Sequence, residues 1–385
     1  MAGQKQLIIL DPEGDLLVVL HKPSTIPTES KSSQMLDSEP MELESSPVKA
    51  APEPESSSSK EAAATTQQVT PVPEKWTFKV SSKHLTLASG YFKTMLDGPW
   101  HEANKVQEDG LRHFVVEDFN LEAFSIVLSI IHGKNSRVPL TVKLELLLEI
   151  SRVVNHLRCS EAMSSYTVTW TRHLEPSIPV KCTIKLLHWI SIAAIFQEHA
   201  IFHRCTRTAI IQSRSNIFSL GLPALASVRD EINRRRILIL DMIFRTIYNL
   251  KDNMTEKTLC SFDCDAFLVG VLTKRLHKMS PGSRPQSPYV GLSIGSVIKS
   301  FNSLPAFDRM PLRREGITRG RLPHCGFKTT IDNLNQYEKK IEGLMLKGAS
   351  GIKEAECLNH IQGEGKLASG EKATEGCLPV QQRTG

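Results

Sequence analysis

Apolar positions along the chain follow two periods, and their order predicts a small sheet followed by helices. Two short β-prone runs, Leu7 to Leu10 and Leu16 to Leu20, flank Asp11-Pro12-Glu13-Gly14-Asp15. The Pro and Gly of that link are turn formers, so residues 7–20 read as a hairpin. Phe78 and Val80 alternate as in a half-buried strand, and Leu85, Leu87, Ala88, Phe92, Met95 and Leu96 then recur at helical spacing behind Ser81 and Ser82, whose hydroxyls can cap a helix start. After Val115-Val116-Glu117-Asp118-Phe119 come two more apolar helical runs, LEAFSIVLSIIHGK and LELLLEISRVVNHLRCSEAM. Beyond Trp170 the chain turns at Pro176 and Pro179 into a helical region over 180–278. Its core positions are Ile184, Leu187, Ile190, Ala194, Ile195, Ile201 and Phe202, then Ile232, Leu238, Leu240, Met242, Ile243, Ile247 and Tyr248 on a helix from Val228 to Leu250. Arg229, Arg234 and Arg235 mark the solvent side of that helix.

Composition changes this picture at two places. Residues 23–73 collapse to Ser, Pro, Glu, Ala, Thr and Gln, too few apolar groups to offset chain entropy, which predicts a disordered insertion. From Ser280 onward Pro, Gly, Ser and Lys dominate, so 280–385 reads as a mostly flexible tail with one weak helix at Ile331 to Leu346. The net charge of +6 is modest and spread unevenly, acidic over 29–61 and basic at Arg234 to Arg236 and Arg309 to Arg321. A nucleic-acid-binding domain would concentrate a stronger basic face, so nucleic acid is not an expected partner. No run of eighteen apolar residues exists, which predicts no membrane span. The eight cysteines form no close tandem pairs, and Asp11, Glu13 and Asp15 interrupt the first apolar run where a secretory core would continue. A soluble protein of the cytoplasm or nucleus is expected.

Candidate chemistry is sparse. Cys260 and Cys264 stand one helical turn apart, and His324-Cys325 could complete a tetrahedral zinc site. Adjacent His and Cys are awkward ligands for one ion, and small buried apolar thiols are the competing reading; no other cofactor is expected. His188, His199 and His203, at spacings of eleven and four, do not converge on one site and read as a partly exposed helix face. No Gly-x-Ser-x-Gly elbow, phosphate-cradling glycine loop or His-Glu-x-x-His helix occurs, and the chain is not read as an enzyme.

Taken in order, Ser89-Gly90-Tyr91-Phe92, the acidic strand end at Asp118, Glu122-Ala123-Phe124, His132-Gly133 and the helical pair ending near Cys159 resemble a BTB/POZ domain over 76–170. His132 in place of a more usual Tyr, and the long insertion before Trp76, resemble fungal BTB proteins of unknown function. The resemblance implies an α+β fold, a small sheet with a helical bundle, followed here by an α-helical region. It also implies that Leu16, Val18 and Leu20 pair with the strand around Phe78. The implied role is a non-enzymatic adaptor or scaffold that binds proteins and forms a BTB homo- or heterodimer. Two variants of that role are a substrate adaptor on a cullin scaffold and a transcription-associated regulator without direct DNA binding. Kelch, ankyrin or MATH repeats and Cys-x2-Cys fingers, which those variants usually carry, are absent from the sequence. The expected partner-binding residues are Lys93, Asp97, Glu102, Asp118, Phe119 and Glu122, the polar and half-exposed neighbours of apolar positions that themselves read as core.

Overall fold

The computed structural model of the chain describes residues 6–21, 75–98, 106–304 and 326–346. The insertion expected over 23–73 lies outside the described residues. The described residues form a mixed α/β structure, with a four-stranded sheet and eleven α-helices among them.

The strands are β1 (Gln6–Ile9), β2 (Leu16–His21), β3 (Lys75–Val80) and β4 (Arg112–Glu117), and the sheet order is β1-β3-β2-β4. Val18 stands opposite Phe78, as expected, with β2 antiparallel to β3. The hairpin over 7–20 does not form. β1 instead pairs parallel to β3, Ile8 opposite Phe78, so β3 lies between the two strands that the sequence pattern had joined. The cause is the path of the link. Leu10 and Asp11 donate their N–H groups to the Lys79 carbonyl at 3.0 and 3.2 Å, and the chain then crosses the end of β3. At Gly14 a Cβ would sit 2.5 Å from the Val80 oxygen, so the crossing requires glycine.

The helical run after β3 is two helices, α1 (Ser82–Ala88) and α2 (Gly90–Asp97). Ser89 breaks it: its Oγ accepts the Phe92 N–H at 3.2 Å and donates to the Leu157 carbonyl, while Gly90 N–H donates to the Arg158 carbonyl at 3.2 Å. Neither Ser81 nor Ser82 caps α1 with its hydroxyl. The amides at the helix start are met from remote segments, Ser82 N–H by Asp15 Oδ1 at 2.8 Å and Ser81 N–H by His132 Nε2 at 3.1 Å.

Next come α3 (Leu121–Ile131), capped by the Asn120 side chain on Ala123 N–H, α4 (Leu144–Leu157) and α5 (Ser160–Leu174). Trp170 is fully buried on α5 and its indole N–H donates to the Pro139 carbonyl at 2.9 Å. The region after it contains α6 (Ile184–Ile195), α7 (His199–Gln212), the long α8 (Pro223–Glu256) and α9 (Phe262–Met279). The α4–α5 and α6–α7 hairpins share one device, a single residue with positive φ at the turn, Arg158 (52°) and Gln197 (59°). Helix α6 packs on α4, so the later helices continue the layer begun by the first hairpin. Of the positions read as core on α8, Ile232, Leu240, Ile243 and Ile247 are fully buried, whereas Leu238 is exposed because it falls off that stripe.

Part of the expected tail belongs to the helical layer. Helix α10 (Ile294–Asn302) packs on α7 and α8, and α11 (Gly326–Lys340) packs on α10. Helix α11 begins and ends earlier than the Ile331-to-Leu346 segment expected; residues 341–344 run extended against α7. The composition of this stretch suggested mobility, but buried Ile294, Val297, Ile298, Phe301, Ile331 and Leu334 supply the apolar surface that holds it.

Candidate functional site

A chain of aromatic contacts links the sheet to the helices that carry most of the residues singled out for partner binding. The Phe78 and Phe124 rings meet edge to face at 5.5 Å, and Phe124 stacks on Phe119 at 5.9 Å. Phe119 meets the edge of His156 at 5.1 Å, and His156 lies 4.7 Å from Tyr91, which touches Phe92 and Phe114. Such pairs add to the value of simple burial. Burial, then the charge of Arg158, holds the His156 pKa below the usual histidine value, and burial raises Tyr91.

Phe119 is therefore a half-buried link in this layer. It is turned inward by Asp118, which is exposed and has φ of 65°, a left-handed geometry that Asp tolerates better than most residues. Glu122 is exposed in the first turn of α3, where a negative charge complements the helix dipole. Asp118, Phe119 and Glu122 thus share the corner between β4 and α3. Lys93 and Asp97 are exposed on a different element, α2, and Glu102 lies outside the described residues.

Beside that corner is a groove of about 550 Å³ lined by Ile8, Leu121, Glu122, Ile126, Arg137 and Val138, among others. Its walls are mainly apolar, with Glu122 and Arg137 as opposite charges. Arg137 also donates to the Ile9 carbonyl at 3.2 Å, tying the turn after α3 to the edge strand β1. On β1, Leu7 is 52% and Ile9 44% exposed, an apolar stripe on a strand that ends the sheet. The sequence pattern missed these two residues as surface candidates, because a hairpin would have covered one side of β1. Their spacing of two along a strand was the available signal.

The zinc reading is split by the structure. Cys264 is buried on the first turn of α9 and its N–H donates to Ser261 Oγ at 3.2 Å; Cys260 is half-buried in the preceding loop. That loop is held by Asp265, whose Oδ2 accepts the Leu259 and Cys260 N–H groups at 2.7 and 3.3 Å. His324 and Cys325 lie outside the described residues, and among those described no three His, Cys, Asp or Glu side chains gather as a ligand set. Burial pushes the thiols of Cys159 and Cys205 up to about 12, and that of Cys182 to about 11 against the opposing charge of Arg236. Thiols so placed stay protonated near neutrality and are poor nucleophiles.

The histidines take separate structural parts. His132 accepts from Ser81 N–H through Nε2, so its Nδ1 carries the proton donated to the Leu128 carbonyl at 2.8 Å. Burial, with a contribution from His84, lowers its pKa. His188 is lowered by burial on α6, His199 is exposed at the start of α7, and His203 accepts the Gly343 N–H at 3.1 Å.

In comparison with known proteins, no family model and no curated protein matches the chain. No helix among the described residues is long and apolar enough to cross a membrane.

Proposed function

We propose that the chain is a BTB/POZ-type adaptor that works by binding proteins, its own copies first, and that catalysis is not its role. The observation that carries this reading is the edge strand β1, half-exposed at Leu7 and Ile9 on one face, while Ile8 on the other face lines an apolar groove that also holds Glu122 and Arg137. Apolar patches rimmed by charge mark recognition surfaces, and an edge strand offers main-chain groups to an added strand. From β3 onward the chain runs strand, helices, strand, helix and helical pair, an order compatible with the resemblance, although β1 and β2 do not pair as the expected hairpin. Asp118 and Glu122 at the β4–α3 corner, with Lys93 and Asp97 on α2, would then tune partner choice.

Sedimentation equilibrium of the full chain tests self-association. The expected result is a dimer at micromolar concentrations and a monomer for the Leu7→Glu/Ile9→Glu variant, since both side chains already meet solvent and the fold does not depend on hiding them. A variant that dimerises like the parent would remove β1 from the interface. A cullin scaffold as second partner is tested by pull-down with the full chain and its Glu122→Lys variant. Glu122 is the better probe than Phe119, whose removal would disturb the packing on Phe124 and His156. Equal recovery from both chains would exclude this corner as the cullin contact.

A further inference from the structure

Helix α7 presents three polar side chains, His203, Thr206 and Arg207, at the i, i+3, i+4 spacing that places them on one face. All three bond to the main chain of a segment about 130 residues later in sequence. Arg207 donates through Nε to the Ile341 carbonyl at 2.7 Å and through Nη2 to the Glu338 carbonyl at 3.3 Å. His203 Nε2 accepts the Gly343 N–H at 3.1 Å and Thr206 Oγ1 accepts the Leu344 N–H at 2.8 Å. The Thr206 hydroxyl proton is already given to the Phe202 carbonyl at 2.8 Å, so its free lone pair faces the incoming amide.

The fit demands very little of the segment's side chains. At Gly343 a Cβ would lie 1.8 Å from the His203 carbonyl oxygen, so the main chain can come down on α7 only with glycine there. Ile341 and Leu344 are buried as anchors, while Met345 is 69% exposed. Upstream, α11 buries Ile331 and Leu334 and exchanges paired amide bonds between Asn335 and Asn302, at 2.8 and 2.9 Å. Main-chain bonds that supply affinity, with one obligatory glycine and spaced apolar anchors that supply selectivity, are the means by which folded domains recognise peptides.

We infer that the face formed by α7 and α10 is a peptide-binding groove, that residues 326–345 are its resident ligand, and that the same segment of a second copy of this chain can occupy it. The occupant is set by the fit itself: every copy carries a helix followed by Ile-x-Gly-Leu, which the groove already matches. Residues 305–325 connect the segment to α10, and a stretch of that length can reach at most about 70 Å. A connection of that length is long enough to reach a neighbouring molecule. In one chain the covalently attached segment acts at an effective concentration on the order of millimolar, so it excludes a free peptide of about ten-micromolar affinity by about a hundredfold. None of the residues involved belongs to the β1 edge, so the inference stands apart from the adaptor reading.

The test uses a fluorescent peptide of residues 326–345 and the full-length chain. In Gly343→Val the resident segment can no longer seat, and the peptide is expected to bind this variant about a hundredfold more tightly than it binds the parent. Adding Arg207→Ala to Gly343→Val should reduce that binding at least tenfold, about the value of a single charge-assisted bond. Equal weak binding to parent and variant, with both folded by circular dichroism, would overturn the proposal. If Gly343→Val does not fold, a parent chain carrying a protease site within 305–325 replaces it. After cleavage the labelled peptide should exchange into the groove, and a cut segment that never exchanges would equally overturn the inference.

Discussion

Arg236 comes from a run of three arginines, yet it alone is fully buried, and its guanidinium donates to four main-chain carbonyls. Nε bonds Ser213 at 2.9 Å, Nη1 bonds Pro288 at 2.8 Å, and Nη2 bonds Tyr289 and Leu292 at 2.7 Å each. It joins the end of α7, the middle of α8 and the approach to α10. Tyr289 reinforces the join by stacking on Phe244 and donating its hydroxyl to Asp241 at 2.9 Å. Replacing Arg236 with Met would leave several buried carbonyls without donors. A loss of about 3–5 kcal/mol is expected from urea unfolding, and a change below about 1 kcal/mol would contradict this account. The neighbouring Arg234 and Arg235 both pair with Glu231 on the surface, and their removal should cost under about 1 kcal/mol. Titration gives a second prediction at this scale. His132, His156 and His188 all have pKa values lowered by burial, so the unfolded chain takes up protons first as the pH falls through about 6.5. Their contribution to stability is complete above that value and declines below it. Urea midpoints that fall between pH 7.5 and 5.5 fit this sign, and His132→Gln should flatten part of the slope.

At the scale of elements, the break between α1 and α2 depends on Ser89, which caps α2 and reaches the end of α4. Ser89→Ala should cost about 1–2 kcal/mol in thermal or urea unfolding, because one cap and one buried bond go together. The start of α1 depends on Asp15 in the same way. Burial works against its charge, but bonds from Ser82 N–H, Ser82 Oγ and Arg112 prevail and hold its pKa at about 2. That contribution is present above the ordinary carboxylate value and is lost as the pH falls through it toward 2, with solvent screening keeping it near 1 kcal/mol. These cases show which parts of the fold could be read from the sequence. The apolar periods located α3, α4, α6 and α8, because those stripes are long and face one core. The break at Ser89, the separation of β1 from β2, and the caps from Asp15 and His132 were not legible. Each is decided by a partner remote in sequence: Leu157, Lys79 and Val80, or the amides of Ser81 and Ser82. Likewise composition hid α10 and marked α11 only as a weak helix placed too late, because the few buried apolar residues of each, Ile294, Val297, Ile298 and Phe301, then Ile331 and Leu334, are diluted among polar ones. Of the candidate site, the exposure of Asp118 and Glu122 was legible from their polarity beside apolar helices, while the contacts of half-buried Phe119 with Phe124 and His156, and the exposure of Leu7 and Ile9, emerged only with the structure.

At the scale of the molecule, the aromatic chain from Phe78 to Tyr91 and the packing of α6 on α4 join the sheet to the later helices. A partner held at the β1 edge would therefore meet a stiff surface rather than a loop. The cysteine pair sets a separate test at this scale. A structural zinc held by Cys260, Cys264, His324 and Cys325 would require about one equivalent of metal in the purified full chain. Trace metal after dialysis would leave Cys264 as a small buried apolar group. The adaptor account itself is tested most directly by sedimentation equilibrium of the intact chain beside its Leu7→Glu/Ile9→Glu variant. It predicts a dimer that the two charges convert to a monomer with unchanged circular dichroism, and a parent chain that remains monomeric at about 100 µM, where even weak specific interfaces associate, would contradict it.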